Sequence, residues 1–165
     1  IKPIFTFDEN AKYEWIENFE SGGISFDKST KSTAFIEKDI DIKCSGNYSG
    51  RITLNDTDNI CEIYNFQNIE MPQYNSHVFL EMDFLSEFVE IEVGVISNES
   101  SGSIQHSVFV LKATSEWKKI YINLPPVVTR IYEAEDYRVY FKLTKPSNLN
   151  NSNSYIDNIK LIQYR

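Results

Sequence analysis

From Val78 the apolar side chains fall on every second position, Val78, Leu80, Met82 and Phe84, with His77, Phe79, Glu81 and Asp83 between them. The alternation resumes at Val89, Ile91, Val93 and Val95 against Glu90 and Glu92, and again at Ile120, Ile122 and Leu124. Val139, Phe141 and Leu143 repeat it against Arg138, Tyr140 and Lys142. Successive side chains of a strand point to opposite faces, so period two sets one row on a core and the other toward water. About eleven such runs follow one another, near 4–8, 24–27, 34–43, 50–54, 60–69, 77–85, 88–97, 104–112, 117–124, 136–144 and 155–163. Turn-rich breaks separate them at Ser45-Gly46-Asn47, at 55–59, at 98–102 and at 148–154. Short alternating strands at this spacing predict an all-β fold, an antiparallel β-sandwich.

The segment 9–20 supports two readings. Asp8 can cap a helix from Glu9 to Glu20, with Trp15, Ile16 and Phe19 on one face and Gly22 as the stop. Alternatively an irregular stretch leads into a strand at Trp15–Glu20, which is the preferred reading. With no internal repeat and no linker, residues 1–165 read as one domain.

Charge narrows the function. Lys and Arg number 16 against 24 Asp and Glu, for a formal net charge of −8 and a pI near 4.8. Binding to a phosphate backbone rests on clustered cations, so nucleic acid is not an expected partner. Aromatics at 14% supply the material for a core. No apolar run approaches the roughly 18–20 residues that cross a bilayer. The chain opens at Ile1 without Met, as a trimmed or mature exported chain would. Cys44 and Cys61 exclude zinc knuckles and CxxC motifs, and leave a single bridge or two free thiols open.

Enzymatic constellations are thin. His77 and His106 both read as solvated strand residues, and no GxSxG, HExxH, Walker or GxGxxG pattern occurs. Glu81, Asp83, Glu90 and Glu92 would be close enough for a glycosidase-like pair if strands 77–85 and 88–97 formed a hairpin. The plainer reading is the wet face of a sheet in an acidic protein. Hard oxygen ligands suit Ca²⁺. Glu20 near the start and Asp157 near the end would meet if the terminal strands lie side by side.

Four elements in order carry a family resemblance: Phe19-Glu20-Ser21-Gly22; Ser45-Gly46-Asn47-Tyr48-Ser49-Gly50-Arg51-Ile52; Glu116-Trp117-Lys118-Lys119-Ile120-Tyr121-Ile122-Asn123-Leu124; and Tyr155-Ile156-Asp157-Asn158-Ile159-Lys160-Leu161. Together they resemble the galactose-binding-domain-like jelly roll of carbohydrate-binding modules and of exported bacterial glycan-handling lipoproteins. The resemblance implies that Glu20 and Asp157 hold a structural Ca²⁺. It also implies that Trp117 packs in the core, and that the chain is extracellular or at the cell surface, with a lipid anchor upstream. A family-defining binding site is not matched.

Sugar rings stack their C–H faces on aromatics and turn their hydroxyls to charged or amide partners. Aromatics on the polar side of a strand are therefore the candidates. Tyr140 lies between Arg138 and Lys142, Tyr121 between Lys119 and Asn123, and Tyr64 shares a face with Glu62. The expected ligand-binding set is Tyr64, Tyr121, Arg138 and Tyr140, with Phe79 and the loop residues Tyr74 and Tyr132 as alternatives. The expected function is non-catalytic glycan binding. The rival is a sandwich whose outward aromatics dock a partner protein, and a hydrolase is the third reading.

Overall fold

Strands account for the alternating runs in the order expected. The computed structural model describes residues 11–71, 77–124, 128, 131 and 134–164, so the run near 4–8 and the loop residues Tyr74 and Tyr132 lie outside the described residues. The described residues form β1 (Ala11–Glu17), β2 (Phe26–Lys28), β3 (Ile36–Asp39), β4 (Ser49–Leu54), β5 (Ile60–Asn65) and β6 (His77–Ser86). They continue with β7 (Ile91–Glu99), β8 (Gly102–Leu111), β9 (Thr114–Asn123), β10 (Ala134–Thr144) and β11 (Ser152–Tyr164).

Two antiparallel sheets stack face to face. One runs β3-β4-β11-β6-β9 with β1 also on β11, and the other runs β2-β5-β10-β7-β8. The long β11 pairs with β4 through Ser152–Ile156 and with β1 through Ile159–Tyr164, while β6 takes its other edge. At the handover Asn158 adopts φ 50° and the register shifts, so that Ile156 and Ile159 both enter the core. Asn tolerates this left-handed conformation better than most residues. The terminal strands do lie side by side.

The described part of segment 9–20 holds a strand and not a helix: it already runs at Ala11, earlier than expected, and stops at Glu17, three residues short of Glu20. Trp15 and Glu17 are buried while Ile16 between them is 48% exposed, which is period two and not a helical face. The buried Glu17 carboxylate ends the strand. It accepts bonds from Phe19 N (2.7 Å), Ser25 N (2.7 Å) and Ser25 Oγ (2.6 Å), pinning the turn in which Phe19 takes φ 60°.

Every second residue fills the space between the sheets, including Val89, Ile91, Val93, Val139, Phe141 and Leu143. Phe26 meets Trp15 edge-on at 5.4 Å and Phe141 at 5.8 Å. Burial of each such side chain contributes about 1.5–3 kcal/mol. Both cysteines are free thiols. Cys61 is buried, which pushes its thiol up to about 12. Trp117 does not join the core as expected: it is half-buried on β9, outside the core cluster. β6 and β7 belong to different sheets, so the hairpin that would have gathered Glu81, Asp83, Glu90 and Glu92 does not form.

Candidate functional site

The outward row of the five-stranded sheet is set by register. Asp27 lies opposite Tyr64, Tyr64 opposite Tyr140, Tyr140 opposite Gly94, and Gly94 opposite Ser107. Lys142 lies between Glu62 and Glu92, and Arg138 faces Ile96, which faces Gln105. Since Val139, Phe141 and Leu143 point inward, Arg138, Tyr140 and Lys142 point out. Three of the four expected ligand-binding residues, Tyr64, Arg138 and Tyr140, thus share one face.

Their rings are not equally available. A Cβ on Gly94 would sit 2.2 Å from the His106 carbonyl oxygen and 2.4 Å from the Tyr140 ring, so glycine leaves the slot in which that ring lies. The Tyr140 hydroxyl donates to Glu92 Oε1 (2.6 Å) and also hydrogen-bonds to Gln105 and Ser107. The residue is fully buried, and burial followed by the Glu92 hydrogen bond raises its phenol pKa. Alternation suggested an exposed stacking ring; Tyr140 is instead a packed part of the sheet face, because a glycine on the neighbouring strand lets it lie flat. Tyr64 is half-buried with the Arg138 guanidinium 4.3 Å above its ring centroid, a cation–π pair.

The same face deepens toward the turn between β6 and β7. A depression of about 520 Å³ is lined by Phe88, Glu90, Glu92, Val110, Lys142 and Thr144. Phe88 is 53% exposed. Strand β7 starts only at Ile91, so Phe88 stands in a turn, although the run read as 88–97 had already set it on the polar side with Glu90 and Glu92; that aromatic beside two carboxylates was the available signal.

The middle of the outer face of the six-stranded sheet, where β6 lies between β9 and β11, is closed by its own charges. Glu81 Oε1 accepts from Lys119 Nζ (2.9 Å) and Lys160 Nζ (3.0 Å), and Asp83 Oδ2 pairs with Lys119 at 3.2 Å. Burial would raise the Glu81 pKa, but these two lysines outweigh it and leave it lowered. Tyr121 lies on this sheet opposite Glu81, 62% exposed, and is not brought to the face that holds Tyr64 and Arg138. His77 stacks on Phe79 at 6.2 Å, and His106 Nε2 lies 3.0 Å from Ser97 Oγ.

Glu20 and Asp157 grip one loop from two ends. Glu20 Oε1 accepts from Asn47 N (2.7 Å) and Tyr48 N (3.0 Å), and Oε2 from Asn47 Nδ2 (2.9 Å). The Asn47 side chain is the main reason its pKa is lowered. Asp157 Oδ2 accepts from Cys44 N and Ser45 N, both at 3.2 Å, and Oδ1 from Asn158 N (2.7 Å). Burial pushes the Asp157 carboxyl up to about 6, against the pull of those N–H groups. Calcium wants six to eight oxygens. Here the hydrogen-bond partners of both carboxylates are N–H donors, and no cluster of three or more His, Cys, Asp or Glu suited to a metal occurs among the described residues. The arrangement fits a hydrogen-bonded clamp on the loop and does not fit the expected cation cage.

No protein-family model matches the sequence, and no curated protein matches it. Solved structures match over nearly the whole chain. The CBM22-1 xylan-binding domain of Paenibacillus barcinonensis Xyn10C superposes with a TM-score of 0.68 at 10% identity, covering 96% of this chain and 99% of that one. The C-terminal family 22 carbohydrate-binding module of Clostridium thermocellum Xyn10B gives 0.65 at 16% identity, covering 93% and 95%. A family 11 carbohydrate-binding module of Clostridium thermocellum, solved with a β-1,3-1,4-mixed-linked tetrasaccharide, gives 0.55 at 14% identity, covering 92% and 94%. The fold is therefore the β-sandwich jelly roll of these modules, as the resemblance implied.

Proposed function

We propose that this chain is a non-catalytic carbohydrate-binding module of an exported bacterial protein, and that it takes polysaccharide on the outer face of the five-stranded sheet. The observation that carries the reading is the depression in which exposed Phe88 stands beside Glu90, Glu92, Lys142 and Thr144. An aromatic for C–H faces next to charged and hydroxyl groups for sugar hydroxyls is the combination a sugar needs. Tyr64 and Arg138 extend that surface along the sheet. The similar folds belong to proteins described as xylan-binding and as bound to a mixed-linked tetrasaccharide, so xylan and β-1,3-1,4-glucan are the ligands to try first.

Affinity electrophoresis in gels containing xylan or mixed-linkage glucan tests this. Retardation that Phe88→Ala abolishes, with no reducing sugar released, is the expected result. Unretarded migration across a broad polysaccharide panel would overturn it.

A second reading rests on a different place. Between the outermost strands β8 and β9, Val108, Phe109, Leu111, Ile120, Tyr121 and Ile122 line an apolar groove of about 440 Å³. Exposed apolar surface beside unpaired strand edges suits a protein partner. If that were the function, Phe109→Ser with Tyr121→Ser would abolish activity in the intact system while polysaccharide binding stayed absent.

A further inference from the structure

A second depression, of about 370 Å³, lies against the six-stranded sheet where β4 and β11 pair at the end nearest the β6–β7 turn. Its apolar wall is Leu85, Ile42 and Phe88, and both Ile42 (41%) and Phe88 (53%) are exposed. Its polar wall is Thr53, Asn151, Asn153 and Tyr155. Register places Thr53 directly opposite Asn153, and Tyr155 between Arg51 and Leu85. Thr53 Oγ1 donates to Asn153 Oδ1 at 2.8 Å, and Asn153 also hydrogen-bonds to the Tyr155 hydroxyl. The amide is therefore held in one orientation before anything binds.

We propose that this depression is a second saccharide site, separate from the sheet face proposed above, and that it takes uncharged sugar units. Amides and hydroxyls both donate and accept, which matches sugar hydroxyls in either sense. No Lys or Arg lines the depression, and Glu87 is its one charged residue, in a chain of net charge −8. Acidic sugars and phosphorylated ligands are disfavoured on that ground. Phe88 stands in the wall of both depressions, so one ring serves the two faces.

The test is a nuclear magnetic resonance titration of the full isotope-labelled chain with xylotetraose, with the mixed-linked tetrasaccharide, and with tetragalacturonate as the acidic control. With a neutral tetrasaccharide, amide shifts at Thr53, Asn151, Asn153 and Tyr155 are expected to move and saturate. In Asn153→Ala the dissociation constant read from those shifts should rise about tenfold, while shifts at Tyr64 and Arg138 follow wild type. Thr53→Val, which keeps the side-chain volume, provides the second variant and should weaken the same shifts. Movement confined to residues 62–64 and 138–142 would overturn this site and leave the sheet-face reading standing. Movement confined to residues 53 and 151–155 would do the reverse. A larger response to tetragalacturonate than to the neutral sugars would overturn the assignment to uncharged ligands.

Discussion

The two outer faces of the sandwich arise from the same alternation and end in opposite conditions. On the six-stranded sheet, Glu81, Asp83 and Asp157 are buried beneath Lys119, Lys160 and the 44–45 backbone. On the five-stranded sheet, Arg138 and Lys142 remain half-buried, and the face deepens beside an exposed Phe88. An outward row of polar residues therefore says only that the row is not core. Whether it is free depends on which side chains and which loop, from elsewhere in the chain, close over it. On the six-stranded face, residues 44–45 cover Asp157 and the two lysines cover Glu81 and Asp83, while the end by Thr53 and Asn153 stays open.

Gly94→Val should show the largest effect on this contrast. The added carbons meet a backbone carbonyl and the Tyr140 ring, and overpacking of this kind costs roughly 1–3 kcal/mol or more. Urea unfolding of a folded variant with an unchanged midpoint would refute the claim that Tyr140 needs that slot.

The closed face should then betray itself through pH. Asp157 has a carboxyl pKa of about 6 in the folded chain, against about 3.9 when free. The folded state holds the proton between those values, so stability falls as pH rises from about 4 to about 6 and levels off above. Glu81 is lowered and works in the opposite sense, losing stability in acid, so the comparison to make is wild type against Asp157→Asn. Identical pH profiles for the two would remove Asp157 from the account.

On the open face, Tyr64→Ala should weaken polysaccharide binding about tenfold, the loss of one stacking surface worth about 1.4 kcal/mol, with little change in melting temperature. Calorimetric titration that finds full affinity in the folded variant would confine binding to the Phe88 depression. Tyr121→Ala, on the other sheet, should leave that affinity within error. Smallest of all, melting temperatures in EDTA and in excess Ca²⁺ should agree, because the loop clamp uses N–H donors. Marked stabilisation by Ca²⁺ would show that Glu20 and Asp157 rearrange around the ion.

Much of the fold was legible because burial between two sheets imposes period two, and the inward rows of β6, β7 and β10 obey it. The pairing of the terminal strands followed from the sandwich itself. The site was legible only in part. Tyr64 and Arg138 could be found as outward residues, since face assignment is local. Tyr140 could not be recognised as buried, because its cover is Gly94 on β7, and Tyr121 could not be assigned to a different sheet from sequence alone. Phe88 was legible by the same rule, as an outward aromatic beside Glu90 at the head of the run 88–97.

By itself, then, the order of residues determined the strands, their inward rows and the absence of a cationic face, since these depend on neighbours in the chain. The partition of the strands between two sheets, the closing of one outer face and the glycine slot beneath Tyr140 were decided by tertiary structure. Each depends on which residues meet across distances of roughly 45 to 115 positions along the sequence, from Gly94 and Tyr140 to Cys44 and Asp157. No local pattern encodes such encounters.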